Sequence, residues 1–156
     1  MTRKAQPEFE LQRQIAQYLR LQYPKVMFLS DVKAAVKLTI QQAVRLRSVQ
    51  ANNDFACPDL MIFAMRWNYG GLFLELKAKS PYLKSGLLSS DAHIQRQAQT
   101  LAALEREGYI AWFEWSFDHA KELIDSYLGG EKWHHERIIT ACRKIEHSFY
   151  ELAMPI

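Results

Sequence analysis

Two carboxylates and an amine, Asp59, Glu75 and Lys77, are the residues of this chain whose types and spacing best suit chemistry. Glu75 and Lys77 lie two apart in an alternating apolar run. Successive side chains of a β-strand point to opposite faces, so these two leave the same face. Two carboxylates and an amine that converge at a sheet suit a hard divalent cation and an activated water. The combination indicates phosphodiester hydrolysis.

Two predicted strands position these side chains. The run from Leu60 to Met65 is apolar throughout, as expected for a central strand covered on both faces. In the run from Leu72 to Lys77, leucine alternates with Phe73 and the polar pair, so a leucine face is expected to be buried. Between the runs, the segment 68–71 supplies turn residues. A hairpin would therefore return Asp59 beside the polar pair.

Helices and one further strand are predicted around this hairpin. Hydrophobic periodicity and capping residues predict a helix at 8–22, a short strand at 26–29, a helix at about 40–50 capped by Thr39, a helix at 91–107 capped by Asp91 or Ser90 and closed by Gly108, a strand at 109–115, a helix at 118–128 and a last helix at about 133–152. Gly129-Gly130 separates the last helix from the rest. The prediction is one α/β domain, with a core at 1–128 and a C-terminal helical extension at 129–156.

Composition is that of an ordinary globular domain. The chain has 156 residues, of which 49% are hydrophobic and 24% charged. No apolar stretch approaches the ~20 residues of a membrane span, and the N-terminal segment lacks a signal-peptide apolar run. Cys57 and Cys142 are expected to be free thiols of a reducing compartment, which suggests the cytoplasm. A net charge of +3 permits binding to nucleic acid but is weak evidence for it.

Pro58-Asp59 and Glu75-Leu76-Lys77 resemble the signature of the PD-(D/E)XK nuclease superfamily. Three further matches resemble the VRR-NUC family of phage and repair nucleases: Glu8 with Gln12 on the first helix, Pro58 to Ile62 at the start of a strand, and Gln97, Leu101, Leu104, Gly108 and Tyr109 as a glutamine helix leading into a strand. The matches span roughly residues 8 to 128. Ala56 stands where the family often has glycine.

This resemblance implies a restriction-endonuclease-like core, a mixed sheet flanked by helices, that hydrolyses DNA with Mg²⁺ or Mn²⁺. The metal ligands it implies are Asp59, Glu75 and the carbonyl of Leu76. The catalytic residues it implies are Glu8, Asp59, Glu75, Lys77 and Gln97. Lys77 would orient the attacking water or stabilise charge on the phosphorane, and Glu8 would help to position a water or a second ion. Phage-encoded homodimers that act on branched DNA, such as four-way (Holliday) junctions, are also implied.

Basic side chains are expected to contact DNA phosphates, which gives affinity without reading sequence. The candidates are Lys33, Lys37, Arg45, Arg47, Lys79 and Lys84. Two other functions stay open. One is a less selective nuclease of the single-strand or restriction type, although no separate target-recognition domain is evident. The other is a non-catalytic DNA-binding or assembly protein that keeps the nuclease fold.

An apolar stripe on the last predicted helix suggests a role in assembly. Its members are Ile138, Cys142, Ile145, Phe149 and Leu152. The stripe could cover the sheet of its own chain or form the interface of a homodimer. Both alternatives follow from the sequence.

Overall fold

A computed structural model of the protein describes residues 7–30, 39–48 and 56–129, with the side chains of residues 46 and 47 outside that description. Its elements are α1 (Pro7–Gln22), β1 (Met27–Ser30), α2 (Ile40–Ser48), β2 (Leu60–Phe63), β3 (Leu72–Leu76), α3 (Ala92–Arg106), β4 (Ile110–Glu114) and α4 (Phe117–Gly129). These agree in type and order with the elements predicted over the same residues. The last predicted helix and Cys142 lie outside the described residues.

The strands form one mixed sheet in the order β1-β2-β3-β4. The first two pairings are antiparallel, and β3 and β4 run parallel. A parallel pair requires a crossover connection, which α3 provides. Because β2 runs against β3, the residue that precedes β2 lies at the same end of the sheet as the residues that finish β3. The predicted mixed α/β fold is confirmed.

Helices cover the sheet on both faces. On one face, the leucines of β2 and β3 pack with Ile15 and Leu19 of α1 and with residues of α4. On the other face, Phe73 joins a cluster that includes Ala98 and Leu101 of α3. Glu75 alternates with the leucines and therefore shares the α3 face with Phe73. The polar face of β3 is thus buried, as its leucine face is.

The hairpin between β2 and β3 turns two residues earlier than predicted, at 66–69 in place of 68–71. Arg66 and Tyr69 exchange backbone hydrogen bonds of 3.0 and 2.8 Å. Trp67 and Asn68 have φ of 55° and 71°, the left-handed pair of a type I′ turn. Gly71 is required for a different reason. A Cβ there would lie 2.7 Å from the carbonyl oxygen of Ile62, so only glycine allows the strands to approach so closely.

Capping residues fix where two of the helices begin. Thr39 and Gln42 form a reciprocal capping box, with Gln42 N donating to Thr39 Oγ1 at 3.3 Å and Thr39 N donating to Gln42 Oε1 at 2.9 Å. The Asp91 carboxylate accepts two backbone N–H groups at the start of α3, and Gly108, with φ of 86°, follows the end of that helix. The capping roles predicted for Thr39, Asp91 and Gly108 are confirmed.

One part of the α3 face carries exposed apolar side chains. Met27 and Leu29 of β1 are 71% and 53% exposed, and Phe63, the cross-strand partner of Met27, is 45% exposed. Met65, just beyond β2, is 72% exposed. We call these four residues the open apolar strip. Among the described helices, none is long and apolar enough to cross a membrane.

Candidate active site

Asp59 is held at the sheet end by the backbone of β3. Pairing between β2 and β3 stops at Leu60, which lies opposite Leu74. The next backbone N–H of β3 that points toward β2 therefore has no partner in that strand and needs another acceptor. Asp59 Oδ2 accepts that N–H, from Leu76, at 2.8 Å. The carboxylate therefore lies beside the residues that follow Leu74, where the sequence predicted it.

Glu75, Lys77 and Gln97 form a buried contact on the α3 face. Their exposed fractions are 3%, 8% and 5%. Lys77 Nζ lies 3.0 Å from Glu75 Oε1, and Gln97 Nε2 donates to the same oxygen. Buried charges are tolerated when they are paired and hydrogen-bonded, as this carboxylate is. Gln97 Oε1 is buried with no hydrogen-bond partner in the described part of the chain, so it is left to accept a hydrogen bond from a ligand or water.

Burial, followed by the charge of Asp59, raises the pKa of Glu75 to about 8, while Lys77 opposes the shift. A hydrogen bond between the two carboxyl groups raises that pKa as well. Two carboxyl groups this close do not both ionise readily, so the pair retains a proton at neutral pH when no cation is present. A divalent cation would replace that proton.

Helix α1 reaches the same end of the sheet. Gln12 Nε2 donates to the backbone oxygen of Asp59 at 2.9 Å. Glu8, one turn earlier, accepts a hydrogen bond from the N–H of Ala78 at 3.2 Å. Glu8 is exposed. It lies in the first turn of the helix, next to the segment that leaves β3.

Two contacts that support the site were missed at the sequence level. Thr100 is buried and its Oγ1 accepts the N–H of Ala56 at 3.1 Å, which ties α3 to the segment that enters Asp59. Its position three residues after Gln97, on the same helix face, is a signal that periodicity offers. The Glu114 carbonyl accepts the N–H of Lys77 at 2.8 Å. Ala56 is not among the described residues with positive φ, so alanine is unstrained there.

The basic residues predicted to contact phosphates fall into three groups. Lys79 and Lys84 are exposed on the segment that follows β3, and Arg45 is exposed on α2. Lys33 and Lys37 lie outside the described residues. The backbone of Arg47 belongs to α2, but its side chain is outside the description. The DNA contacts of all six residues stay predictions.

The residues present fit a cation that keeps much of its water. No group of three or more His, Cys, Asp or Glu side chains that could hold a metal ion occurs within residues 7–30, 39–48 and 56–129. Mg²⁺ is commonly bound by one or two carboxylates with several waters, so Asp59 and Glu75 supply a sufficient pair. The proton-sharing pair and the unpartnered Gln97 Oε1 both suit such an ion. The carbonyl of Leu76 stays a predicted third ligand.

Comparison with known proteins places this geometry on a known fold. No protein-family model matches the chain, and no curated protein sequence matches it. Among solved structures, the chain is similar to a VRR_NUC domain protein, with a TM-score of 0.54 and 20% sequence identity over 82% of this chain and 93% of that one. The two proteins share a fold, the one that the sequence motifs predicted.

Proposed function

We propose that the protein is a metal-dependent DNA endonuclease that hydrolyses phosphodiester bonds with Mg²⁺ or Mn²⁺. The observation that carries the proposal is the buried contact of Glu75, Lys77 and Gln97 beside the carboxyl group of Asp59. Two neighbouring carboxyl groups disfavour each other's ionisation, so they do not stabilise the end of a sheet that has only a structural role. The VRR_NUC fold supports the same activity.

Asp59 and Glu75 would hold the cation, with Leu76 contributing its carbonyl. When bound, the cation supplies Lewis acidity to the scissile phosphate and lowers the pKa of a water molecule. Glu75 must lose its proton for this, and the two donors on its Oε1 stabilise the ionised form. Asp59 is aligned from its backbone side by Gln12. The protein therefore supplies a pre-positioned pair of oxygen ligands at little reorganisation cost.

The lysine and the glutamine have different tasks. The Lys77 ammonium, 3.0 Å from Glu75 Oε1, would orient the attacking water or stabilise the negative charge that develops on the phosphate. Gln97 donates through Nε2 to the same oxygen of Glu75, and its Oε1 would accept a hydrogen bond from water in the site. Glu8, exposed beside Ala78, would help to position a water or a second ion at the entrance.

The substrate class follows from the sequence resemblance: branched DNA, with four-way junctions as the first candidate. The exposed Lys79 and Lys84 would contact phosphates next to the site, and Arg45, Arg47, Lys33 and Lys37 would extend the contact surface. A phage-encoded homodimer acting in the host cytoplasm completes the proposal, because two symmetric sites suit paired cuts in a junction.

The test is cleavage of a labelled four-way junction by the purified protein in Mg²⁺, in Mn²⁺ and in EDTA, with duplex and single-stranded DNA of the same sequence for comparison. Cleavage is expected only with metal. Asp59→Asn and Glu75→Gln should abolish it and leave DNA binding intact. Glu107→Gln, which changes an exposed glutamate at the end of α3, is the matched control. Full activity in either site variant, or in EDTA, would overturn the catalytic assignment.

A non-catalytic DNA-binding or assembly protein is the second candidate. The observation in its favour is that both carboxylates already have partners: Asp59 satisfies the N–H of Leu76, and Glu75 accepts from Lys77 and Gln97. Such a protein would bind the junction equally well in EDTA and cut no DNA in either metal. Preferential cutting of single strands would instead indicate the less selective nuclease.

A further inference from the structure

The segment between β3 and α3 folds into a small hairpin of its own. Ser89 N donates to the Pro81 carbonyl at 2.9 Å, and Leu83 N donates to the Leu87 carbonyl at 2.8 Å. Between these bonds, Tyr82 and Leu88 form an antiparallel bridge. We call residues 81–89 the loop hairpin. Its backbone is ordered by internal hydrogen bonds, so its tip is presented in a defined geometry.

Aromatic packing anchors the base of the loop hairpin to the sheet. The Tyr82 ring lies 6.4 Å from that of Phe113, edge to face, and 5.9 Å from that of Trp115. Leu88 is only 8% exposed and belongs to the α3-side cluster. The base is therefore part of the core, and this packing fixes the position of the loop hairpin on the sheet.

The tip of the loop hairpin exposes apolar side chains. Leu83 and Leu87 are 56% and 52% exposed, and Lys84 beside them is exposed too. From Lys77 to Ser90 the sequence has three lysines and no acidic residue. Exposed leucines in a segment whose only charged side chains are lysines match a polyanion that also offers apolar surface. DNA is such a molecule, with phosphates outside and base faces within.

Both ends of the loop hairpin lie at the candidate active site. Its first strand leaves β3 just after Lys77, and its second strand leads to Asp91, the N-cap of the helix that carries Gln97. Asp91 is near enough to Lys77 for the lysine's charge to act on it. The loop hairpin therefore leaves and rejoins the core beside the phosphate that the proposed site would cut.

We propose that Leu83 and Leu87 form a wedge that enters the base stack of DNA at a branch point and unstacks bases beside the scissile phosphate. Proteins that kink DNA insert apolar side chains in this manner while cations hold the backbone. Lys79 and Lys84 would supply the cations. The inference rests on the proposed DNA substrate, and it assigns selectivity for branched DNA to the loop hairpin, because bases at a branch are already weakly stacked.

The direct measurement is fluorescence of 2-aminopurine placed at the branch point of a four-way junction, with Ca²⁺ replacing Mg²⁺. The intact protein is expected to increase the fluorescence severalfold, as unstacking does. Leu83→Ser with Leu87→Ser should remove the increase and lower kcat/KM on the junction in Mg²⁺ by about tenfold. Leu21→Ser, at an exposed leucine of α1 (69%), is the control and should leave both values unchanged.

The outcomes separate the wedge from the nuclease. An increase in fluorescence that survives the double change overturns the wedge, whatever the activity. An increase that the double change abolishes, in a protein that cuts no DNA with either metal, supports the wedge and overturns the endonuclease. If the double change instead converts a dimer to a monomer by light scattering, the tip is a protein interface and the wedge is wrong. Circular dichroism establishes that each variant is folded, and the single variants Leu83→Gln and Leu87→Gln replace the double one if it is not.

Discussion

Glu75 is the central residue of the candidate site, because its surroundings act on its protonation in two opposite directions. A 3% exposed carboxylate with another carboxyl group beside it favours the protonated form. Lys77 and Gln97 donate to its Oε1 and favour the ionised form. A group balanced in this way near neutral pH responds strongly to a nearby cation. The raised pKa is therefore a property that metal binding would use.

This balance predicts a pH dependence of stability in EDTA. The folded-state pKa is about 8 against an ordinary value of 4.5, so the native protein keeps a proton that the unfolded chain releases. The free energy of unfolding should consequently fall as pH rises from 4.5 to 8, with a slope of up to about 1.4 kcal/mol per pH unit from this proton. Glu75→Gln cannot titrate and should lack this contribution. Urea titrations at pH 5, 7 and 9 compare the two proteins, and parallel pH profiles would contradict the prediction.

Lys77 is expected to act on turnover more than on binding. Lys77→Ala should lower kcat by about 10²-fold or more with a small change in KM, because a charge that meets the developing phosphate charge acts mainly in the transition state. Lys79→Ala, at an exposed lysine of the following segment, is the comparison and should alter KM instead. Steady-state kinetics on a junction measures both constants. A Lys77 variant with normal kcat and weaker binding would make Lys77 a phosphate contact.

At the scale of elements, two helices hold the segment that delivers Asp59. From α1, Gln12 binds the Asp59 carbonyl, and from α3, Thr100 binds the N–H of Ala56. Both contacts act on the backbone, while the carboxylate of Asp59 accepts the N–H of Leu76 at 2.8 Å. Helix α3 therefore supports both carboxylates. Thr100 holds the segment that leads to Asp59, and Gln97 on the same helix face contacts Glu75 directly.

The substitution Thr100→Val tests whether α3 holds the segment that leads to Asp59. The substitution keeps the shape of the side chain and leaves the N–H of Ala56 without its acceptor, which costs about 1–3 kcal/mol. We expect lower stability and, in addition, weaker Mn²⁺ binding by calorimetry, because Asp59 loses its alignment. Thr100→Ser keeps the hydroxyl and should restore Mn²⁺ affinity. If Thr100→Val binds Mn²⁺ normally, the contact serves stability alone.

Local patterns predicted the elements and part of the site, and long-range contacts completed it. Strand alternation placed Glu75 and Lys77 on one face, and a short polar side chain before an apolar run marked the caps at Thr39 and Asp91. The hydrogen bond from Gln12 to Asp59 spans 47 residues, and no local pattern encodes such a pairing. The hairpin turn was misplaced because a bulky Trp67 at positive φ is unusual, whereas the glycines after it are common turn residues.

At the scale of the whole molecule, two apolar surfaces have no partner assigned to them within residues 7–30, 39–48 and 56–129. One is the open apolar strip of β1 and β2. The other is the stripe that the sequence predicts on a helix at 133–152, in the proposed C-terminal extension 129–156, which lies outside the described residues. Helix α4 ends beside the β2–β3 hairpin, where Tyr127 donates to the Ala64 carbonyl at 2.6 Å.

Homodimer formation through this extension is the prediction at this scale. Light scattering at micromolar concentration should give the mass of a dimer for the intact chain. Ile145→Asp with Phe149→Asp should give a folded monomer, because charge on the apolar stripe cannot be buried in an interface. A monomeric intact chain rules out the dimer. A dimer that survives the two changes rules out only the role of the stripe, which would then cover its own sheet.

The hydrogen bonds around the site also predict an order for folding. The β2–β3 hairpin closes over a short loop and brings Asp59 to Leu76, a separation of 17 residues, whereas the Gln12 and Glu8 contacts span 47 and 70. Short closures cost less chain entropy and form sooner. We therefore expect the two carboxylates to meet while still in contact with water, and the docking of α1 to follow. Because burial is the largest cause of the raised pKa of Glu75, we expect proton uptake to belong to that late step, and the last stage of folding to be the one that responds to pH.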